Sequence, residues 1–246
     1  MTIDIKREEL LISQLADLLI NDNHVAVGAA SPIPGAAALL AKEEARYLDK
    51  RLRVTILHSS RYNNFTDGAR ELFDCAAQGR IDTFFLGGVQ IDGQANINLV
   101  GTGKYPHTKK RFPGSFGSPL MYFVVPQIIL FREEHSPRTL VQKVDFISAP
   151  GVSDDKIYRP GGPKYLLTNR ALFKFNKKNE KFSLLKLNEN ETSDTITKLT
   201  GFDFDIHEDL SYMTWPDNKR LDIMRNNVAP MVSEFYPEFA NKIWGV

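Results

Sequence analysis

The sequence predicts an α/β fold, in which helices cover both faces of a mainly parallel sheet and the second half is rich in strands. Between residues 6 and 86, short apolar segments alternate with longer segments of helical periodicity, which is typical of repeated βα units. After Gly117 the pattern changes to short β-prone runs separated by turn residues. Because 246 residues suit one large α/β unit and no repeat or linker interrupts them, we expect a single domain over residues 1–246.

The first half is predicted to alternate helix and strand. Over residues 6–20 the leucines fall on one stripe of an amphipathic helix, at Leu10, Leu11, Leu15, Leu18 and Leu19. A strand at 25–30 ends in Ser-Pro-Ile-Pro-Gly and is followed by an Ala- and Leu-rich helix at 35–49. We expect a further strand at 53–58, a helix at 66–78 and a strand at 83–86.

The second half is predicted to be mostly strands, at residues 120–125, 127–132, 143–148, 165–168, 171–176 and 182–187. A short helix at 193–199 and a helical tail from Asp217 onward follow these strands. The loops are expected at residues 150–163, rich in Gly, Asp and Pro, and at a polar hairpin turn over 176–181.

Composition narrows the classes of function. A formal net charge of +1 gives no electrostatic reason to expect a nucleic-acid or anionic-membrane partner. The longest apolar run, residues 120–131, is too short to span a bilayer, and the N-terminus lacks the apolar core of a secretory signal. The single cysteine, Cys75, suits a reducing compartment, so we expect a cytoplasmic protein. The five scattered histidines form no metal-binding motif, and no dinucleotide or P-loop motif occurs.

Two glycine loops point to a ligand-binding site. Gly87 and Gly88 follow directly after a predicted buried strand, and the second loop is Gly114-Ser115-Phe116-Gly117. Glycine lets the backbone approach a ligand closely, and ligands of open α/β sheets bind at the carboxyl ends of strands. Of the polar residues between the loops, we expect Asp92 and Asn96 to be structural, whereas Gln90 could equally contact a substrate.

A basic cluster lies between the same two loops. It contains Lys104, His107, Lys109, Lys110 and Arg111. A run of charge of this kind is usually a solvated face, but it could also receive the phosphates of a bulky anionic ligand. The sequence leaves both interpretations open.

Several consecutive motifs resemble one enzyme family. GGVQIDGQANIN at residues 87–98 and the G-x-x-x-x-P-x-x-x-x-R-x-x-G-S-x-G pattern that follows are similar to the β subunit of family I CoA-transferases, especially the glutaconate CoA-transferase branch. The resemblance continues through VDFISAPG at 144–151, LTN at 167–169 and TGFDFD at 200–205. It covers nearly the whole chain in the right order, and it implies a three-layer αβα open sheet.

The resemblance also implies a partner and a mechanism. In that family an α-type subunit assembles with the β subunit, and a β-subunit glutamate holds CoA as a glutamyl thioester. The implied substrate is a coenzyme A thioester, with no permanently bound cofactor. The loops at Gly87, Gly88, Gln90 and Gly114-Ser115-Phe116-Gly117 would then face the acyl-CoA, and Gly117→Val should abolish its binding while leaving the fold largely intact.

The glutamate itself is missing. Where the family has Leu-His-Ser-Glu, this chain reads Leu57-His58-Ser59-Ser60, and no glutamate occurs from Ala45 to Arg70. The glutamate position therefore falls on Ser60, or on His58 if the chain is aligned to the shorter Val-Glu-Ser-Gly form of the motif. These two residues are the candidate catalytic residues. A serine without a paired base, however, is a poor nucleophile. Four alternatives follow. The chain could transfer CoA between acids by altered chemistry, or hydrolyse an acyl-CoA with a catalytic glutamate from the α subunit, as in the similar steroid-ring-opening CoA hydrolases. It could also be a non-catalytic scaffold subunit, or a small-ligand-binding relative of the same fold.

Overall fold

The computed structural model describes residues 4–246. The helices in this range are α1 (Arg7–Asp17), α2 (Pro32–Tyr47), α3 (Gly68–Ala77), α4 (Ser118–Val124), α5 (Ser193–Leu199), α6 (Asn218–Asp222), α7 (Ala229–Ser233) and α8 (Pro237–Trp244), with a π-helical segment at Ile223–Val228. The strands are β1 (His24–Val27), β2 (Arg53–Ile56), β3 (Thr83–Leu86), β4 (Gln90–Ile91), β5 (Ile97–Asn98), β6 (Gly101–Thr102), β7 (Lys110–Arg111), β8 (Gln127–Phe131), β9 (Pro163–Leu167), β10 (Ala171–Asn176), β11 (Lys181–Leu187) and β12 (Asp205–Tyr212).

The described residues group into two compact units. The first unit contains the chain up to Asp67, Ile81–Phe85 and Met213–Val246. The second unit contains Gly68–Arg80 and Leu86–Tyr212. The expectation of a single domain over the whole chain stays a prediction.

The first unit is built on parallel strands with helices packed on them. β1 pairs in parallel with β2, placing Val27 opposite Ile56, and also in parallel with β3. Of the predicted leucine stripe, Leu10, Leu11 and Leu15 lie in α1 and are fully buried, as the periodicity predicted; the last two leucines follow the helix, and Leu18 is only half-buried. α2 begins with prolines in its first turn, where a missing N–H costs no hydrogen bond. Because β1 and β2 are parallel, the loops that follow them lie at the same edge of the sheet, and one of these loops carries His58.

The second unit combines parallel and antiparallel pairings. β8 is parallel to β9 and β11 is parallel to β12, whereas β10 pairs antiparallel with both β9 and β11. Buried aromatic rings fill the core, for example Phe173 against Phe182 with centroids 6.1 Å apart. Together with the two parallel pairings of the first unit, this confirms the predicted α/β fold with a mainly parallel sheet.

Three details of the second half differ from the prediction. The predicted strand at 120–125 is wrong, since these residues belong to helix α4; a short apolar run does not distinguish a strand from a buried helix, and Pro119 in the first turn is the helix signal. The predicted strand at 143–148 is also wrong, because side chains such as Ser148 hydrogen-bond neighbouring loop backbone there instead. β12 was not predicted, since its sequence is polar and mostly exposed.

Candidate active site

The β2 turn, residues 57–62 of the first unit, follows the carboxyl end of β2 and carries His58 and Ser60. The hydroxyl oxygen of Ser59 accepts hydrogen bonds from the backbone N–H groups of Arg61 at 3.2 Å and Tyr62 at 3.0 Å. Such local bonds fix a tight turn. Because Ser59 is buried in this structural role, its neighbours His58 and Ser60 on either side are left exposed.

The imidazole of His58 lies against the C-terminal tail. Its ring stacks on Tyr236, with centroids 5.6 Å apart and an interplanar angle of 7°. The Tyr236 hydroxyl accepts from the Ser31 N–H at 3.1 Å and donates to the Ala29 carbonyl at 2.5 Å, which ties the tail to the loop after β1. Burial raises the pKa of the Tyr236 hydroxyl, so it remains a neutral donor at physiological pH. One face of the His58 ring is therefore covered and its orientation is restricted.

Ser60 is exposed and has no activating partner in residues 4–246. No hydrogen bond joins its hydroxyl to a base in this part of the chain, which a serine nucleophile requires. The carboxylate of Glu234 reaches the β2 turn, but it pairs with Arg61 at 2.9 Å. The turn thus presents an exposed imidazole and an exposed hydroxyl.

The Gly87 and Gly88 positions of the second unit are filled by the protein's own backbone. A Cβ at Gly87 would lie 2.9 Å from the Phe131 carbonyl oxygen, and one at Gly88 would lie 2.7 Å from the Gln90 carbonyl oxygen. Both distances are shorter than real Cβ contacts. These glycines are therefore required by close packing inside the second unit, whatever else they contact.

Gln90 belongs to a buried hydrogen-bond network. Its amide oxygen accepts from Asn98 Nδ2 at 2.8 Å and from the Asp145 N–H at 3.0 Å, and its amide nitrogen donates to Asp145 Oδ2 at 3.1 Å. Asp92 accepts from the N–H groups of Asn96 at 3.0 Å and Val144 at 3.3 Å, which confirms the structural role expected for it. Asn96 likewise accepts from the Gly151 N–H at 3.1 Å.

The second glycine loop, residues 114–117, differs from the first. Gly114 has φ +102° and nothing within 4 Å of an added Cβ, so it borders open space. Phe116 has φ +32° and is 88% exposed. A positive φ is strained for a bulky residue, and such strain collects at functional sites. Ser115, between them, accepts at its carbonyl from the Ser118 N–H at 2.7 Å, which closes the loop before α4.

Gly117 has no room for a side chain. It has φ −86°, which any residue adopts, but a Cβ there would overlap the ring of Phe73 from α3. Phe73 also packs on Phe116, with centroids 5.8 Å apart. A valine at Gly117 would displace this ring and disturb the packing of α3 on the loop. Whether Gly117→Val abolishes acyl-CoA binding and leaves the fold largely intact stays a prediction.

Two other kinds of feature are absent from residues 4–246. No group of three or more His, Cys, Asp or Glu side chains there is placed to hold a metal ion. None of the helices in the same range is long and apolar enough to cross a membrane. The features that remain are the β2 turn in the first unit and the 114–117 loop with its surroundings in the second.

The model of the family described as "Coenzyme A transferase" matches residues 5–198 of the 246-residue chain. The protein belongs to the Coenzyme A transferase family. A curated relative, one of the subunits of glutaconate CoA-transferase of Acidaminococcus fermentans, is 29% identical over 153 residues, covering 59% of this chain and 56% of the relative. The chain thus aligns with somewhat more than half the length of that relative.

Solved structures show the same fold as this CoA-transferase family member. The crystal structure of glutaconate CoA-transferase from Acidaminococcus fermentans superposes with a TM-score of 0.79 at 20% identity, covering 94% of this chain and 97% of that one. The decarboxylase AibA/AibB superposes with a TM-score of 0.75 at 22% identity, covering 99% and 100%. At these identities the likeness concerns the fold alone.

The structure groups the predicted site residues by unit. His58 and Ser60 share the β2 turn of the first unit, whereas Gln90 and both glycine loops belong to the second. Sequence reasoning missed Tyr236, which holds His58, and Phe73, which packs on the 114–117 loop. Neither residue carried a local signal, because each contacts its partner from a distant part of the chain.

Proposed function

We propose that this protein is one subunit of a heteromeric enzyme that acts on the CoA thioester of a carboxylic acid and transfers CoA between acids. Its partner is an α-type CoA-transferase subunit, and it holds no permanent cofactor. The reaction converts one acyl-CoA and a second carboxylate into the free first acid and the second acyl-CoA. Family membership supports the reaction class, and the name of the glutaconate CoA-transferase relative supports a carboxylic-acid substrate.

The observation that carries this proposal is the 114–117 loop. A large apolar side chain, Phe116, is held almost fully in solvent on a strained backbone beside the open space at Gly114. Neither feature stabilises the fold of the chain by itself. Both are expected of a loop that contacts a ligand with an apolar arm, as the pantetheine arm of an acyl-CoA is.

Hydrolysis of an acyl-CoA is the second candidate, and the β2 turn favours it. His58, with its ring oriented by Tyr236, and the exposed Ser60 hydroxyl can hydrogen-bond a water molecule, whereas a glutamyl thioester cannot form at either residue. In the ring-opening form of this reaction, water adds to a ring of the CoA thioester and the thioester stays intact; in thioester hydrolysis, water attacks the thioester carbonyl, and the acid and free CoA leave. In both forms the carboxylate that takes the proton would come from the α subunit. A scaffold role for the chain is the third alternative.

The test is turnover by the assembled complex. The chain is co-expressed with an α-type subunit, and acyl-CoA esters, glutaconyl-CoA among them, are incubated in ¹⁸O-labelled water with and without acceptor acids. Mass spectrometry then separates the reactions. Transfer gives a new acyl-CoA only when an acceptor is present. Without an acceptor, thioester hydrolysis gives ¹⁸O-labelled acid and free CoA, and ring opening gives an ¹⁸O-labelled acyl-CoA that is heavier by one water.

Two substitutions test whether the β2 turn takes part in the reaction. His58→Ala and Ser60→Ala should each lower turnover at least about tenfold, the effect of losing one positioned polar group. Ser211→Ala, an exposed serine on β12, is the matched control and should not. Turnover that survives both substitutions would remove the β2 turn from the mechanism. If the complex converts no CoA ester, the enzymatic proposal fails and the scaffold role is left.

A further inference from the structure

The second unit carries a concentrated positive surface that the proposed chemistry does not use. β6 and β7 form a hairpin over residues 101–111, here called the basic hairpin, with Gly101 opposite Arg111. Its four positive side chains are exposed: Lys104, Lys109, Lys110 and Arg111. No aspartate or glutamate occurs from Gly93 to Arg132, although the whole chain has a net charge of only +1.

These charges are not neutralised within the described chain. None of the four side chains forms an ion pair in residues 4–246. The carboxylate that contacts the hairpin is that of Asp145, whose Oδ2 accepts from the Gly103 N–H at 2.8 Å and from Gln90 Nε2 at 3.1 Å. That carboxylate supports the hairpin backbone, and the lysine and arginine side chains remain available to an anion.

Aromatic rings accompany the charges. Tyr105 is 51% exposed and its ring is supported from behind by Phe146, with centroids 4.9 Å apart. Lys110 Nζ lies 5.3 Å from the centroid of the Phe112 ring. A supported, half-exposed ring beside several cations is the arrangement that binds a base and its phosphates in nucleotide sites.

The hairpin is also joined directly to the 114–117 loop. The Phe112 N–H donates to the Val100 carbonyl at 2.9 Å, and the Gly114 N–H donates to the Leu99 carbonyl at 3.1 Å. These bonds hold the start of the loop beside the base of the hairpin. A ligand with an apolar arm at Phe116 can therefore extend its charged end along the same segment.

We infer that the basic hairpin binds the phosphate groups of the nucleotide end of coenzyme A, with Tyr105 as the platform for the adenine base. This inference rests on the proposed function and deepens it. The diphosphate and the 3′-phosphate of CoA together carry about four negative charges at neutral pH. Four uncompensated cations match that charge, and the planar guanidinium of Arg111 suits a phosphate especially well.

The experiment compares CoA with one ligand that lacks its 3′-phosphate and one that lacks its whole nucleotide end. Affinities of the assembled complex for CoA, dephospho-CoA and pantetheine are measured by calorimetry, for the wild type and for K109Q/K110Q/R111Q. The control is K164Q/K174Q, which removes two exposed lysines of the same unit outside the hairpin. Circular dichroism and co-purification establish that each variant folds and assembles.

The wild type should bind CoA more tightly than dephospho-CoA. The hairpin variant should lose at least about tenfold in CoA affinity, the effect of one charge-assisted hydrogen bond, and should no longer distinguish the two ligands. Pantetheine binding should not change. The salt dependence of CoA binding should weaken in the same variant and persist in the control.

Other outcomes overturn the inference. Unchanged CoA affinity of the complex that contains the hairpin variant would do so. A hairpin variant that folds but does not co-purify with the α subunit would also do so, because the hairpin would then be a contact for an acidic partner surface. An equal loss for CoA and pantetheine would mean that the substitutions disturb the loop and not a phosphate contact. A wild-type complex that binds none of the three ligands would refute the proposed function itself.

Discussion

Gly117 and Gly114 lie in one loop but must be glycine for different reasons, and this separates two alanine variants. At Gly117 the backbone angles are ones that any residue adopts, so Gly117→Ala should destabilise the fold only because its Cβ overlaps the Phe73 ring. At Gly114 there is free space for a methyl group but φ is +102°, so Gly114→Ala should destabilise the fold only through backbone strain. Overpacking costs about 1–3 kcal/mol, and a left-handed backbone costs about 1–2 kcal/mol for a non-glycine residue.

The two causes respond differently to a second substitution. Phe73→Ala removes the ring that Gly117→Ala meets, so the double variant should recover about 1–2 kcal/mol relative to the sum of the single variants. Phe73→Ala should give Gly114→Ala no such recovery. Urea denaturation measures each free energy of unfolding, and CoA affinity of the assembled complex should follow the same order. If Gly117→Ala and Phe73→Ala add to within about 0.5 kcal/mol, the steric argument is wrong.

Two further predictions concern buried titratable groups. Burial lowers the pKa of His135 to about 4 in the folded protein, whereas the unfolded value is about 6.5. The unfolded state therefore binds a proton more readily, and the free energy of unfolding should fall by up to about 3 kcal/mol as pH drops from 6.5 to 4. His135→Gln should flatten urea-unfolding profiles over that range, and an unchanged slope would exclude the histidine as the cause. Arg225→Ala should cost about 3 kcal/mol at pH 7, because it strands the buried Glu9 carboxylate, which Arg225 contacts twice at 2.7 Å.

The destabilisation caused by Arg225→Ala should depend on pH, and the direction follows from the pKa of Glu9. Desolvation would raise the pKa of Glu9, but hydrogen bonds from Arg225, Lys6 and Trp244 outweigh it and the pKa is lowered. The pair therefore stabilises the fold above the unfolded pKa, and this contribution is lost as pH falls through the folded value. The Arg225→Ala deficit should shrink in acid, and a deficit that stays constant down to about pH 3 would contradict this account. Arg61→Ala, which breaks an ion pair with Glu234 that is exposed on both sides, is the control and should cost less than about 1 kcal/mol.

Sequence periodicity predicted the framework because the signals were local. The leucine stripe of α1, the buried strands β1 to β3 and the polar turn before Lys181 each specify their own structure over a few residues. The predictions failed where the structure depends on distant contacts. Residues 120–125 became a helix and residues 143–148 an irregular segment, since short apolar runs take the conformation that their surroundings favour.

The sequence singled out candidate site residues but did not show why each of them is there. Glycine, His58 and Ser60 could be placed by motif, because motif spacing is a property of the chain. Whether a glycine is required for a ligand, for a backbone angle or for a neighbour depends on atoms elsewhere. Glycine is required at residue 87 because of the Phe131 carbonyl, at residue 114 because of its φ angle, and at residue 117 because of the Phe73 ring. Three glycines that looked equivalent in the sequence thus have three different physical causes.

The C-terminal tail restricts the orientation of His58 in the β2 turn. The family match ends at residue 198, whereas Tyr236, which stacks on His58 and bonds to the loop after β1, comes later in the chain. An exposed imidazole on a short turn would otherwise sample several rotamers, and a polar group must be held in place to contribute to catalysis. Tyr236→Phe keeps the stack but removes the hydrogen bonds of the hydroxyl to the loop after β1. Its effect on turnover, compared with that of Tyr236→Ala, therefore separates orientation of His58 from anchoring of the tail. If His58 acts in the reaction, part of the site is built by a segment outside the family match, and variation in that segment is a route by which one fold can change its chemistry.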